Sequence, residues 1–373
     1  MRIMFTSPPN TGMAFTLVPL AHAATVAGHE VVFATASSTV DVVVAAGLHA
    51  VDVAPNADFD ALAPNAAAAF LSNRPDADPT PPPGPHFFRL YADAMSDGIV
   101  RLATEWLPDA VVHTPEGVVA RRVFEELGVP TVFHGTGFSQ HPGMAEPWKR
   151  ANSPRVRESL GITAAIDVAP PGMSLVEDYG WRMRYVPFNG GGVLPPWLFA
   201  RTDRPRIAVT LGTVAPGIVG IDPLRWILNA AGGLAVELVF ALGGAEPARL
   251  GALPDNARAL RWVPLRALLR TCAAVVHHGG AGSTMAALDA GVPQIVLPQG
   301  ADQFDNARTV TTRGAGFTAS TTDSAAGAVA RVLTDPRLRS AAREVRRELS
   351  ALPSPATVIE RLAGHLAARG RSA

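Results

Sequence analysis

Residues 276–306, VHHGGAGSTMAALDAGVPQIVLPQGADQFDN, hold the densest set of side chains in this chain that could do chemistry. His277 and His278 follow an apolar run and precede the turn Gly279-Gly280-Ala281-Gly282-Ser283-Thr284. Helical spacing (Met285, Leu288) then runs to Gly291-Val292-Pro293, and a second apolar run over 294–298 leads to Asp302-Gln303-Phe304-Asp305-Asn306. Strand, glycine turn, helix and strand make a right-handed βαβ unit. Its turn lies at the carboxyl end of a strand, where α/β proteins bind ligands. Backbone N–H groups at such a helix start are unpaired and carry partial positive charge, so they suit a phosphate. No Lys follows the glycines and the spacing is not GxGxxG, so neither common phosphate motif applies. A neutral His278 can donate to a phosphate oxygen, and Asp302-Gln303 offers acceptors and donors for vicinal sugar hydroxyls. Together they read as a diphosphate site flanked by a sugar. A glycine turn used only for helix–sheet packing has no need of these polar neighbours.

The elements that must position this turn recur along the chain. Residues 2–6 and 31–34 are strand-like, separated by a Pro/Asn/Gly turn and a helical pattern (Phe15, Leu17, Leu20, Ala24). Two such units at the start predict a doubly wound sheet. Residues 55–90 break the pattern with the run Pro79-Thr80-Pro81-Pro82-Pro83-Gly84-Pro85, an irregular insertion. Alternation resumes with a helix near 88–106, a strand at 110–113, a helix near 116–127 and a strand at 131–134. The Gly/Pro-rich stretch 188–196 is the best linker, and a new series begins at 206–210, with further strands at 236–241, 274–277 and 294–297. The chain therefore divides into an N-terminal half, 1–195, and a C-terminal half, 196–373, with a last helix at about 355–369.

Bulk properties narrow the function. A length of 373 residues, 48% hydrophobic and 17% charged, suits two large cores of helix-covered parallel strands. Zero formal charge without a basic stripe argues against nucleic acid or an anionic membrane as partner. The lone Cys272 excludes an internal disulfide and a cysteine-based zinc site. Neither a signal peptide nor a transmembrane run stands out, so a cytoplasmic location is expected.

In this frame the chain resembles the GT-B glycosyltransferases of family 1, nearest to the actinomycete enzymes that attach deoxysugars to antibiotic and polyketide aglycones. The likeness is carried by residues 15–31 (FTLVPLAHAATVAGHEV), 185–197 (YVPFNGGGVLPPW), 210–213, 262–265 (WVPL), 277–306 and 352–362 (LPSPATVIERL). It implies two Rossmann-like domains facing across a cleft, acceptor domain first and donor domain second, with the last helix crossing back to the first domain. It implies a thymidine diphosphate (TDP) sugar as co-substrate, an apolar aglycone as acceptor and no metal or other cofactor. Whether a homodimer or an auxiliary activator protein is needed stays open. Within the donor site the resemblance places Trp262 on the pyrimidine base and Thr213 near the diphosphate. It gives His278 the phosphate, Gly280, Gly282, Ser283 and Thr284 the closing turn, and Asp302 and Gln303 the sugar. A core tryptophan and a plain helix N-cap are the competing readings for Trp262 and Thr213. His277, one residue earlier on a strand, points to the other side and reads as a packed structural residue.

The acceptor side departs from the pattern. Relatives place a general-base histidine in the first turn, oriented by an aspartate; here those positions hold Met13 and Thr114. Methionine cannot accept a proton. His134, at a strand end facing the cleft, is the expected substitute as base, ahead of His113, His22, Glu116, His141 and Glu146. An acidic phenol needing little help, attacking through oxygen or ring carbon, is a second solution, and the choice between O-, N- and C-transfer stays open. Gly12, Met13, Phe88, Phe138 and Met144 are expected to line the acceptor pocket. The expected activity is an inverting transfer of a deoxysugar to an aromatic or polyketide acceptor. A catalytically silent sugar-nucleotide-binding accessory protein, or an epimerase on the same fold, is the alternative.

Overall fold

The computed structural model describes residues 1–62, 86–114, 124, 127–138, 162–174, 180–200, 202–321 and 323–370. The first sheet contains β1 (Arg2–Thr6), β2 (Glu30–Thr35), β3 (Ala50–Asp52), β4 (Ala110–His113), β5 (Thr131–His134), β6 (Ile162–Asp167) and β7 (Trp181–Arg182). The second contains β8 (Arg206–Thr210), β9 (Glu237–Ala241), β10 (Ala257–Leu260), β11 (Ala274–His277), β12 (Gln294–Val296) and β13 (Gly316–Thr318). Their orders are β3-β2-β1-β4-β5-β6-β7 and β10-β9-β8-β11-β12-β13, and every pairing is parallel. Parallel strands buried on both faces explain their Val, Ile and Ala content. In each sheet the strand order reverses once, at β1/β4 and at β8/β11, and such switch points open a crevice at the carboxyl ends. This is the expected pair of doubly wound domains.

The first helix, Thr11–Val26, starts with Asn10, whose side chain accepts from the Met13 N–H. It buries Ala14, Leu17, Val18, Leu20, Ala21 and Ala24 against the first sheet. The last helix, Pro355–Gly370, crosses back onto it, and Val358, Ile359 and Leu362 join the same apolar cluster. Trp181 receives the ring of His365 edge-on and the guanidinium of Arg361 over its face. The return crossing read from the resemblance is therefore built from apolar burial plus a cation–π contact. A polar latch joins the domains as well. Glu348 accepts from Arg313 (2.7 Å) and from the Gly172 N–H (3.1 Å).

Candidate active site

The glycine turn expected to cradle a diphosphate lies where β11 ends. His277 is fully buried; its Nδ1 accepts from the Gly279 N–H (3.0 Å), which puts the ring proton on Nε2, facing Gln294 Oε1 at 2.7 Å. It is the packed structural histidine expected, and it also shapes the turn. Gly279 has φ +92°, a conformation that favours glycine. The helix Ala281–Ala290 follows. Thr284 N–H bonds the Gly280 carbonyl, while the N–H groups of Ala281, Gly282 and Ser283 make no hydrogen bond among the described residues. His278 makes none either, and its Nδ1 is buried. Its ring is wedged between two glycines: a Cβ would lie 2.7 Å from Cε1 at Gly212 and 2.4 Å from Nε2 at Gly280. Burial, with His277 beside it, pushes His278 down to about 3, so the ring is neutral at physiological pH. A neutral imidazole with no partner, beside three unpaired N–H donors, is poised for an anionic oxygen.

Thr284 is placed behind this turn and not on its open side. It is fully buried and its hydroxyl back-bonds to the Gly280 carbonyl (3.0 Å), so it braces the cradle. Ser283 keeps a half-exposed hydroxyl on the first turn. Thr213 is exposed after the Gly212 turn. The N-cap of the helix Ala215–Val219 is Val214, which makes no side-chain bond, so Thr213 is not spent on capping. Trp262 is 38% exposed, so it is not a core tryptophan. Its indole edge lies against the linker, 3.2 Å from a Cβ built on Gly190, and Asn189 Oδ1 accepts from the Arg266 N–H (2.9 Å). The linker is thus strapped along the loop that presents the indole.

Of the two residues expected to hold the sugar, Gln303 is buried and its Oε1 accepts from the Gln299 (2.8 Å) and Gly300 (3.3 Å) N–H groups. Its carbonyl braces the loop, which leaves the amide N–H₂ as its group for a ligand. Asp302 Oδ2 accepts from Asn306 Nδ2 (2.8 Å), and the same amide donates to the Gly279 carbonyl (2.8 Å). Asn306 therefore ties the Asp302 carboxylate to the glycine turn. Sequence reasoning gave it no role, although its place four residues after Asp302 on one helix face was readable.

Across the cleft, the loop after β5 leans on the cradle: a Cβ on Gly137 would be 3.1 Å from Ala281 Cβ. The buried Tyr185 hydroxyl lies 4.0 Å from a Cβ built on Gly282. Neither contact was foreseen. Gly12 is exposed and Met13 half-buried at the head of the first helix. Phe138, also expected to line the acceptor pocket, is buried, 4% exposed, in the apolar cluster that contains Met285 and Leu288. Phe88 belongs to the helix His86–Trp106, but its side chain, like the whole of Met144, Glu116, His141 and Glu146, lies outside the described residues.

Of the strand-end histidines, His113 faces Phe133 (ring centroids 5.8 Å apart) on the side away from the first helix. His134 points to the first-helix side and is fully buried. Its Nδ1 lies 2.7 Å from the Gly135 carbonyl and must donate to it, so Nε2 carries the lone pair. Burial lowers His134 to about 4. His22 is turned to the Ala46 carbonyl (2.9 Å). Among the described residues no group of three His, Cys, Asp or Glu side chains could hold a metal ion, and no helix is long and apolar enough to cross a membrane.

With this geometry in place, the comparisons with known proteins decide the family. The Erythromycin biosynthesis protein CIII-like family matches through its N-terminal domain at residues 84–212 and its C-terminal domain at residues 225–364. The elloramycin glycosyltransferase ElmGT of Streptomyces olivaceus is 37% identical over 377 residues, 97% of each chain. The chain belongs to the erythromycin CIII-like glycosyltransferases. The crystal structure of the glycosyltransferase SnogD from Streptomyces nogalater superposes on this glycosyltransferase with a TM-score of 0.81 at 36% identity, covering 98% of this chain and 99% of that one. The glycosyltransferase SsfS6 of Streptomyces sp. SF2575, solved with thymidine diphosphate, gives 0.79 at 28% identity over 98% and 99% of the two chains. The fold is GT-B, and this glycosyltransferase is related to enzymes of antibiotic biosynthesis.

Proposed function

We propose that this glycosyltransferase moves a deoxysugar from a TDP donor to an aromatic or polyketide natural-product acceptor, with inversion at the anomeric carbon. The observation that carries the reading is the cradle: three unpaired N–H groups at Ala281–Ser283 beside a neutral His278 without a hydrogen bond. TDP in the related SsfS6 structure supports the nucleotide. In this reading Trp262 stacks on the base, Thr213, His278, Gly280, Gly282 and Ser283 hold the diphosphate, and Asp302 and the Gln303 amide hold the sugar. Thr284 supports the turn from behind.

The acceptor attacks from the first domain while the diphosphate leaves into the second. Charge growing on the leaving oxygen falls where N–H dipoles already point, so no reorganisation is needed at that moment. His134 is the base of this reading. Its Nε2 lone pair is free, and burial keeps the ring neutral at physiological pH, the protonation state a base needs. Oxygen and carbon acceptors share this geometry and differ only in the bonding atom.

Incubation with TDP-deoxysugars and a panel of phenolic and macrolide aglycones tests the reading, with products identified by NMR. A glycoside of inverted anomeric configuration is expected. Tight TDP binding with no product from any aglycone would contradict it in favour of the accessory role that Met13 and Thr114 suggest. Conversion of the sugar nucleotide without an aglycone would favour the epimerase.

A further inference from the structure

At the carboxyl edge of the first sheet, Ser7 Oγ, Thr114 Oγ1 and His134 Nε2 are buried without a hydrogen bond among the described residues. They are neighbours. In the ladders Thr6 pairs with His113 and His113 pairs with Phe133. One residue further on lie Ser7 and Thr114, just past the ends of β1 and β4, and His134, the last residue of β5; the continued register sets the three side by side. Side chains alternate along a strand, so the three share the face of Phe5, Val112 and Val132, which the first helix covers. Native folds rarely leave one such atom unpaired, and three in a row call for an explanation.

Their location suggests one. The row straddles the β1/β4 switch point, where open α/β sheets take ligands. Three peptide bonds separate His134 from Gly137, where an added Cβ would meet the cradle helix at Ala281. Three trans peptides span at most about 11 Å, so the row stands next to the diphosphate cradle. Its donor and acceptor pattern is also specific. His134 Nε2 can only accept, because Nδ1 is committed to the Gly135 carbonyl, whereas the Ser7 and Thr114 hydroxyls can also donate. Such a row complements one hydroxyl flanked by carbonyl or phenol oxygens.

We propose that Ser7, Thr114 and His134 form a hydrogen-bonding row that binds adjacent oxygens of a polyhydroxylated aromatic acceptor, with His134 Nε2 receiving the proton of the attacking hydroxyl. The proton-transfer part rests on the transferase reading above. In that step the acceptor O–H bond breaks toward His134 as the acceptor oxygen bonds the anomeric carbon. The sugar–phosphate bond breaks with its electron pair going to the diphosphate, and the imidazolium then returns its proton to solvent.

The test uses a peri-dihydroxyanthraquinone as probe, followed by its visible absorbance, on the wild-type chain and on Thr114→Val, Ser7→Ala and His134→Gln. Thr114→Val keeps the shape and deletes an unpaired hydroxyl, so its Tm is expected to be equal or higher. Its affinity for the probe is expected to fall about tenfold, the effect of one lost hydrogen bond, with TDP affinity unchanged. His134→Gln should weaken the probe similarly and lower kcat where turnover is seen. Equal probe binding by wild type and Thr114→Val, or no binding by wild type, would overturn the proposal and leave a packing defect. Probe binding that depends on the row, in a chain that transfers no sugar, would keep the binding row and remove the transferase reading with its proton step.

Discussion

A Gly280→Ala variant is expected to fold and yet bind TDP about 10- to 100-fold more weakly, the cost of losing one hydrogen bond to a charged group. The added Cβ would lie 2.4 Å from His278 Nε2, so the ring must move. It cannot move far, because Gly212 closes the opposite side and the ring is 8% exposed. The displaced imidazole then no longer meets an oxygen held by the Ala281, Gly282 and Ser283 N–H groups. The clash is with a side chain, so it redirects the ring and does not expel the helix. Calorimetric titration with TDP, alongside a thermal melt, checks both halves of this expectation. Unchanged affinity, or loss of fold, would contradict it.

Gly98→Ala should act in the opposite way, on stability and not on the donor site. Gly98 lies inside the helix His86–Trp106, where a Cβ would fall 1.8 Å from the Val53 carbonyl oxygen and 2.6 Å from its carbon. No rotamer relieves a clash with backbone. The helix must lift from a core formed by Met95, Ile99 and Ala103 with Met4, Val53, Phe59 and Val111. Overpacking of this kind costs about 3 kcal/mol. That lowers the Tm of the domain by about 6–12 °C. TDP affinity measured well below the transition should stay at the wild-type value, since the cradle belongs to the second sheet. A Tm equal to wild type would show that the helix does not pack as described.

The strand–turn–helix–strand unit around Gly279–Thr284 was legible because its signals are local. An apolar run, a glycine turn, a helical repeat and a second apolar run sit within about thirty residues, and strand parity alone separates His277 from His278. The bounds of β1, β4, β5, β8 and β11 follow from apolar runs of four or five residues. The short strands β3 (AVD), β7 (WR) and β13 (GFT) offer no period to read and went unseen, as did β10 (ARAL), whereas β12 (QIV), equally short, was read from the apolar run that continues past it. β6 hid in ITAAID, where alanines blur the alternation. The rest of the site depends on contacts between distant segments. Nothing near Phe138 says that the second domain will bury it, and nothing near Thr284 says that its hydroxyl will turn back to Gly280. The row Ser7–Thr114–His134 exists only once β1, β4 and β5 are in register. The missing base at Met13 was visible as a gap in a pattern, but the polar atoms that stand nearby are a property of the sheet.

The central claim is that His278 and the head of the helix Ala281–Ala290 form an anion cradle for a nucleoside diphosphate. Calorimetric titration of TDP into the wild-type chain and into His278→Ala tests it most directly. The predicted result is stoichiometric binding by wild type and about 10- to 100-fold weaker binding by the variant, with both melting alike. Equal affinity in the two proteins, or no binding by wild type, would contradict it.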